Sequence, residues 1–116
     1  IDRIDADYRS LTDTLLEVRV AEVVWLEMPV PNENWEANDF DANRKRFGLL
    51  RAAIDRLVET VPERVSVVDL ESWLAGEGLD TDQALRPDGI HFTPEAAIEI
   101  VDTWLGEQIL RAALLN

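Results

Sequence analysis

The residues best suited to chemistry lie in one segment, R-P-D-G-I-H-F-T-P-E, at positions 86–95. It contains His91, the only histidine of the chain, and histidine is the one side chain whose ordinary pKa lies near neutrality. Asp88 precedes it by three residues, across a glycine. A carboxylate at this spacing can reach the imidazole Nδ1, fix the ring tautomer and leave Nε2 to take a proton. The pair therefore predicts the histidine and aspartate of a hydrolytic triad.

The same residues also have a purely structural explanation. Asp88-Gly89 is a common turn sequence, His91 would then be a half-buried ring bonded to a nearby carbonyl, and Thr93-Pro94 would only cap a helix. Because twelve of the 116 residues are aspartate, an aspartate three positions before a histidine is weak evidence by itself. The spacing alone leaves both interpretations open.

Apolar residues recur at spacings of three and four in three stretches, which predicts three amphipathic helices. The first helix would bury Ile1, Ile4, Tyr8, Leu11, Leu15 and Val18. The second would bury Phe47, Leu50, Ile54, Leu57 and Val58. The last would bury Ile98, Val101, Leu105, Ile109 and Ala112. Asp39 or Asp41 is placed to cap the second helix, and Thr93 the last.

Two compact apolar runs predict buried strands: E-V-V-W-L-E-M at 22–28, which ends before Pro29, and V-S-V-V-D-L at 65–70, followed by a short helical turn. Strands joined by a helix should be parallel. The chain is therefore predicted to be one α/β domain over residues 1–116 with a partial parallel sheet and flanking helices. Because such strands normally have neighbours on both sides, and because residue 1 is not methionine, we expect an N-terminal part to be missing.

The overall charge excludes several partners. The chain has 24 acidic against 11 basic residues, a net charge of −13, which disfavours nucleic acid and anionic membrane surfaces. No apolar run approaches the roughly 20 residues that span a bilayer, so we predict that this segment is not membrane-embedded. The absence of cysteine excludes disulfides, thiolate metal sites and a cysteine nucleophile.

We predict no metal and no cofactor. The acidic pairs Asp39 with Asp41 and Asp80 with Asp82 lack the spacing of a calcium loop. The Gly76-Glu77-Gly78 segment lacks the third glycine of a dinucleotide loop. Three of the four tryptophans lie at apolar positions typical of a core, namely Trp25, Trp73 and Trp104. Trp35 lies on a polar loop and is therefore the predicted substrate-binding aromatic residue.

The block R-P-D-G-I-H-F-T-P-E-A-A resembles the last conserved block of the SGNH hydrolases, the GDSL-like esterases and acyltransferases. The two strands and three helices also match the C-terminal half of that family, so the resemblance covers nearly the whole chain. It implies a flavodoxin-like α/β fold in which Asp88 orients the imidazole and His91 is the general base.

The rest of the family pattern is absent from this sequence. There is no G-D-S and no G-x-N-D motif, so the nucleophile and the oxyanion donors do not carry over. Ser10 and Ser66 fall in a predicted helix and strand, and Ser72 follows a strand without a glycine elbow. Asn32 and Asn34 lie on a loop where the family does not keep its oxyanion asparagine, so no role is assigned to them.

The resemblance implies an ester hydrolase or O-acyltransferase that acts on a small-molecule or glycan ester. Its serine would come from a missing N-terminal segment or from a second chain that completes the sheet. Within the family, the form of the block is similar to domains that act on the extracytoplasmic side of a bacterial envelope. The alternative is a non-catalytic α/β interaction module, or an inactive fragment that lacks the nucleophile.

Overall fold

The computed structural model describes residues 2–36 and 39–115. Its elements in chain order are α1 (Asp2–Glu17), β1 (Val23–Glu27), α2 (Phe40–Thr60), β2 (Val65–Asp69), α3 (Leu70–Gly76), α4 (Pro94–Ile100), a π-helical turn (Val101–Leu105) and α5 (Gly106–Leu115). The last three follow one another without an intervening loop. Ile1, which the sequence pattern assigned to the first helix, lies outside the described residues.

The two strands form a parallel sheet, as predicted from the helix that joins them. Val23 lies opposite Val65, and Glu27 opposite Asp69, so both strands end at the same edge. In the described part of the chain the sheet has these two strands only, and each therefore has one edge without a strand partner. The predicted α/β class with a small parallel sheet is confirmed.

Helices pack on both faces of the sheet because successive strand side chains point in opposite directions. The Trp25 indole lies on the α1 side, where Nε1 donates to the Thr12 hydroxyl at 3.1 Å and the ring packs edge-on against Tyr8. Leu26, the next residue, packs instead against a buried cluster. The members of that cluster are Leu70, Leu74 and Ile100. The core is thus divided into two parts, one on each face.

Side-chain caps fix where the helices begin. The Asp39 carboxylate accepts a hydrogen bond from the Ala42 amide at 3.1 Å, so Asp39, rather than Asp41, caps α2. The Thr93 hydroxyl accepts from the Ala96 amide in the same way and starts α4. Because Thr93 follows His91 by two residues, this cap also fixes where the loop that carries the histidine ends.

The predicted buried face of the last helix is only partly correct: Leu105 and Ala112 are half-buried, but the other three residues are exposed. Ile98 is 63% exposed, and Val101 and Ile109 are also exposed. The inward positions are instead spaced by four, namely Ala96, Ile100, Trp104, Gln108 and Ala112. In a regular α-helix of 3.6 residues per turn, residues spaced by four move gradually away from one face. The π-helical turn has more residues per turn, so it keeps these residues closer to the same face. Trp104 is held inward by stacking on Trp73, with ring centroids 4.8 Å apart.

The face of the first helix also differs in part from the prediction, although Ile4, Tyr8 and Leu15 are half-buried as expected. Leu11 is exposed on α1, and Val18 lies beyond the end of the helix and is exposed as well. Thr12 is fully buried in their place. The physical reason is the Trp25 indole N–H, which needs an acceptor once it is covered, and Thr12 supplies one.

The corrected face of α4 can be tested with two isoleucines on the same helix. Ile100 is 4% exposed, so we expect Ile100→Ala to lower the free energy of unfolding by about 2–5 kcal/mol through lost burial and a residual cavity. Ile98→Ala should change it by less than about 0.5 kcal/mol. Urea unfolding followed by circular dichroism measures both. A larger loss for Ile98→Ala would contradict the assigned face.

Candidate functional site

Two loops meet at the carboxyl edge of the sheet. The proline loop, residues 28–36, follows β1 directly. The second loop, residues 77–93, joins α3 to α4 and carries Asp88 and His91, which are called the dyad below; it is named the dyad loop. The Asn32 amide donates to the Gly89 carbonyl at 2.9 Å, which joins the two loops. Binding sites of open α/β sheets lie beyond the carboxyl ends of the strands. The segment singled out in the sequence is therefore held where such a site is expected.

The Asp88 carboxylate receives three hydrogen bonds. Its Oδ1 accepts from the amides of Ile90 and His91 at 2.8 and 2.7 Å, and its Oδ2 lies 2.6 Å from the His91 Nδ1. The bond to the His91 ring, followed by the two backbone bonds, holds the pKa of Asp88 far below its ordinary value of 3.8. The folded state thus favours the ionised form. Its stabilising contribution is present above pH 3.8 and is lost as the pH falls toward the depressed value.

The His91 ring faces solvent. Its side chain is 80% exposed and that of Asp88 is 52% exposed, so the ring is not the half-buried, carbonyl-bonded group of the structural alternative. An ionised carboxylate can only accept a hydrogen bond, so of the two tautomers of the uncharged ring it favours the one with its proton on Nδ1. Nε2 then carries a lone pair at the exposed end of the ring. This arrangement can accept a proton from a group brought to it from outside the loop.

Gly89 is the residue that permits the two loops to meet. It is buried and has a φ of +81°, in the left-handed region that glycine tolerates. A Cβ atom there would lie 2.5 Å from the Trp35 amide nitrogen and 2.7 Å from the Asn32 Oδ1. The glycine is thus required both by its backbone angle and by the packing of the proline loop.

Trp35, the predicted substrate-binding residue, lies close to the dyad. It is half-buried, and its amide donates to the Asn32 carbonyl at 3.1 Å while lying against Gly89. The structure therefore brings the backbone of Trp35 to the turn that carries Asp88. Contact between the indole and a substrate stays a prediction.

Asn32 is a scaffold residue that sequence reasoning missed. Its side chain is buried, its Nδ2 donates to the Asp80 carbonyl at 3.0 Å and its Oδ1 accepts from the Asn34 amide at 2.9 Å. It therefore connects the proline loop to the start of the dyad loop. The available signal was the Pro31-Asn32 pair directly after a strand, which marks a structured turn, but its partner 48 residues away could not be read from the sequence.

Arg86 is the second residue that sequence reasoning left without a role. It is 2% exposed, its Nη1 donates to the Val30 carbonyl at 3.0 Å and its Nη2 donates to the Asp80 carbonyl. A cavity of about 160 Å³ lies beside it, between the proline loop, the start of α2 and the dyad loop. Its apolar lining residues are Pro29, Val30, Pro31, Phe40 and Ala75, and polar and charged residues, among them Arg44 and Glu71, line the rest.

None of the three serines provides a nucleophile for His91. The Ser66 hydroxyl donates to Glu22 at 2.6 Å, and the Ser72 hydroxyl donates to Asp69 at 2.6 Å. Ser10 lies on an exposed part of α1. Within residues 2–36 and 39–115, no serine hydroxyl is hydrogen-bonded to the histidine ring.

A separate ionic cluster lies where both strands end. Arg51 of α2 contacts Glu27 at 3.2 Å and Asp69 at 2.6 Å, and so connects α2 to the two strands. Glu27 is buried, and burial raises its pKa against the opposing charge of Arg51. This cluster secures the edge of the sheet on which the two loops rest. In the described ranges, no three histidine, cysteine, aspartate or glutamate side chains are grouped to hold a metal ion.

Comparison of the chain with protein-family models, with curated proteins and with solved structures found no significant match to any of them. None of the helices within residues 2–36 and 39–115 has the length and hydrophobicity needed to cross a bilayer.

The tautomer of His91 provides a direct test of the dyad. In Asp88→Asn an amide NH₂ group can face Nδ1, and a donor there favours the ring with its proton on Nε2. We expect Nδ1–H in the parent and Nε2–H in the variant, measured by long-range ¹H–¹⁵N NMR at a pH where the ring is neutral. The chain has a single histidine, so the assignment is unambiguous.

Asp82→Asn is the matched control for this substitution. Asp82 lies in the same loop and accepts a bond from the Ala84 amide at 2.8 Å, but no hydrogen bond joins it to the ring. The variant should keep the parent tautomer. An unchanged ring in Asp88→Asn would show that the carboxylate does not orient the imidazole.

The close approach at Gly89 can be tested against a second glycine in the same loop. Gly78 has a φ of +70° but open space around it, so Gly78→Ala should destabilise only through backbone strain, by about 1–2 kcal/mol. Gly89→Ala adds the clash with the proline loop, and we expect a clearly larger loss of unfolding free energy, together with shifted His91 signals. Urea unfolding and NMR measure the two effects. Equal losses would contradict the close contact.

Proposed function

We propose that this chain supplies the histidine and aspartate of a Ser-His-Asp triad in an SGNH-type ester hydrolase or O-acyltransferase domain. The substrates would be O-acylated glycans or other esters. The observation that carries the proposal is the 2.6 Å contact between the Asp88 carboxylate and the exposed His91 ring, in a loop held at the carboxyl edge of a parallel sheet. The resemblance of residues 86–97 to the last SGNH block supports the same function.

In this reaction His91 moves one proton twice. Nε2 takes the proton of a serine hydroxyl as the serine oxygen attacks the ester carbonyl. The bond from the carbonyl carbon to the leaving oxygen then breaks, and the imidazolium returns the proton to that oxygen. Asp88 stays ionised and stabilises the imidazolium, which agrees with its depressed pKa. Water or an acceptor hydroxyl releases the acyl group by the same steps in reverse.

The serine must be supplied by polypeptide other than the described residues. The hydroxyls of Ser66 and Ser72 are already hydrogen-bonded to carboxylates away from the ring. Backbone amides or side chains that hold the developing oxyanion would have to come with that serine. A His–Asp pair without these groups is a weak catalyst, so the isolated 116 residues should be nearly inactive.

The cavity beside the dyad loop favours a short acyl group. Its volume of about 160 Å³ and its partly apolar lining suit a small acyl chain rather than a long one. The cavity is bounded by Asn32 and Arg86, the residues that fix the dyad loop. Asp88 and His91 do not line the cavity, and its proposed role as the acyl site rests on the Asp80, Thr81 and Arg86 that it shares with their loop.

Fluorophosphonate labelling tests the proposal, because the reagent modifies a serine that is activated by a histidine. The 116-residue chain should not label. A longer polypeptide translated from the same gene, or a complex with the chain that completes the sheet, should label at one serine. His91→Ala should abolish that labelling, whereas Asp82→Asn should leave it unchanged.

Two outcomes would contradict the proposal. Labelling of the 116-residue chain itself would show that a nucleophile is present within it. If none of the longer polypeptides or complexes that fold is labelled, His91 has no catalytic role.

An uncovered groove supports a second candidate, a non-catalytic interaction module. An open groove of about 380 Å³ runs along residues 66–69 of β2, beside Trp104 and Arg111. The edge of β2 that has no strand partner in the described part of the chain could accept an added strand. In this case His91→Ala would change only local stability and no ester-cleaving activity would be found.

A further inference from the structure

Arg86 has surroundings that are unusual for a charged side chain. It is buried, yet within the described residues no carboxylate forms an ion pair with it, and its Nε has no hydrogen-bond acceptor. Burial lowers its pKa, against the opposing charges of Glu71, Asp80 and Asp88. Burying a guanidinium without a paired carboxylate is unfavourable, and an apolar side chain would fill the space without that penalty. Burial of its charge therefore does not account for the residue, and the contacts that it makes must be considered.

The guanidinium connects three segments around the dyad. Its Nη1 donates to the Val30 carbonyl of the proline loop, and its Nη2 donates to the Asp80 carbonyl of the dyad loop. Its Cζ lies 5.7 Å from the ring centre of Phe92, which directly follows His91. One planar group thus contacts the chain before Asp88, the residue after His91 and the proline loop.

The backbone of Arg86 is part of the same arrangement. Its carbonyl accepts from the Gly89 amide at 2.9 Å and closes the turn that carries Asp88. The turn is therefore attached to the proline loop at two points, through the Arg86 side chain and through the bond between Asn32 and Gly89. Asp88 lies between them. With the Gly89 attachment alone, the turn could rotate about that single point.

We propose that Arg86 is a positioning residue that fixes the direction in which Asp88 holds the His91 ring. It acts through the backbone turn and does not touch the reacting atoms. The biological meaning of this role rests on the proposed function. Its effect on the geometry can be measured separately, from the tautomer of the His91 ring.

Lysine should replace Arg86 poorly. The guanidinium presents several donors in a rigid plane, which lets it reach two carbonyls that are 50 positions apart in the chain, those of Val30 and Asp80. An ammonium group on a flexible stem is a compact donor without this fixed fork. The arrangement thus depends on the shape of the side chain and on its charge together.

The test compares Arg86→Lys and Arg86→Met in the 116-residue chain, with the His91 tautomer as the readout. We expect the excess of the Nδ1–H form over the Nε2–H form to fall by about tenfold in Arg86→Met and by less in Arg86→Lys, because loss of the anchored turn weakens a charge-assisted hydrogen bond. Long-range ¹H–¹⁵N NMR at a pH where the ring is neutral gives both populations.

Thr12→Val controls for a general loss of stability. Thr12 is buried on the other face of the sheet, where it accepts from Trp25, so the variant lowers the midpoint of urea unfolding without contacting the dyad loop. Its histidine tautomer should remain that of the parent. If Arg86→Met does not fold, Arg86→Lys decides the test, because lysine keeps the charge and most of the volume of the side chain.

An unchanged tautomer in folded Arg86→Lys and Arg86→Met would overturn the positioning role while leaving the Asp88 assignment intact. In a longer polypeptide that reacts with fluorophosphonate, Arg86→Lys should also slow labelling, whereas Thr12→Val should not. A shift in tautomer without any labelling in the longer polypeptide would instead support the positioning role and contradict the proposed function.

Discussion

The contact between Gly89 and the loop that follows β1 is the constraint on which the rest of the site depends. A side chain at Gly89 would collide with Trp35 and Asn32, so the turn can approach the sheet edge only because this residue has no Cβ. Once the turn is in place, Asp88 can bond two backbone amides with one oxygen and the imidazole with the other. The orientation of a solvent-exposed ring thereby depends on the buried contact at Gly89.

Polar groups buried at the carboxyl edge of the sheet hold the two loops in place. Arg51 joins α2 to the ends of both strands, and Arg86 joins the two loops. Burial opposes the charged form of both Glu27 and Arg86, so neither contributes stability as a hydrophobic side chain would. In this interpretation the polar groups at the carboxyl edge of the sheet define the geometry of the loops at some cost in stability. The dyad itself is exposed to solvent.

Much of the local structure could be predicted from short-range patterns. The strands, the caps at Asp39 and Thr93, and the possible contact of Asp88 with His91 all involve residues that are at most a few positions apart. The buried faces of α1 and of the last helix were predicted correctly only in part, since several of the assigned apolar residues are exposed. A polar acceptor for the Trp25 indole and the stacking of Trp104 on Trp73 override a simple apolar period, and both depend on residues distant in the sequence.

Local sequence patterns were enough to predict the α/β order, the parallel pairing and the residue types of the dyad, because helix periodicity, strand composition and turn chemistry act over a few neighbouring residues. The exposure of the His91 ring, the need for Gly89 to lack a Cβ, and the role of Asn32 and Arg86 in holding the loop became visible only in the folded chain. These properties arise where the chain near residue 30 meets the chain near residue 86. Contacts over such a separation follow from packing, which no local pattern encodes.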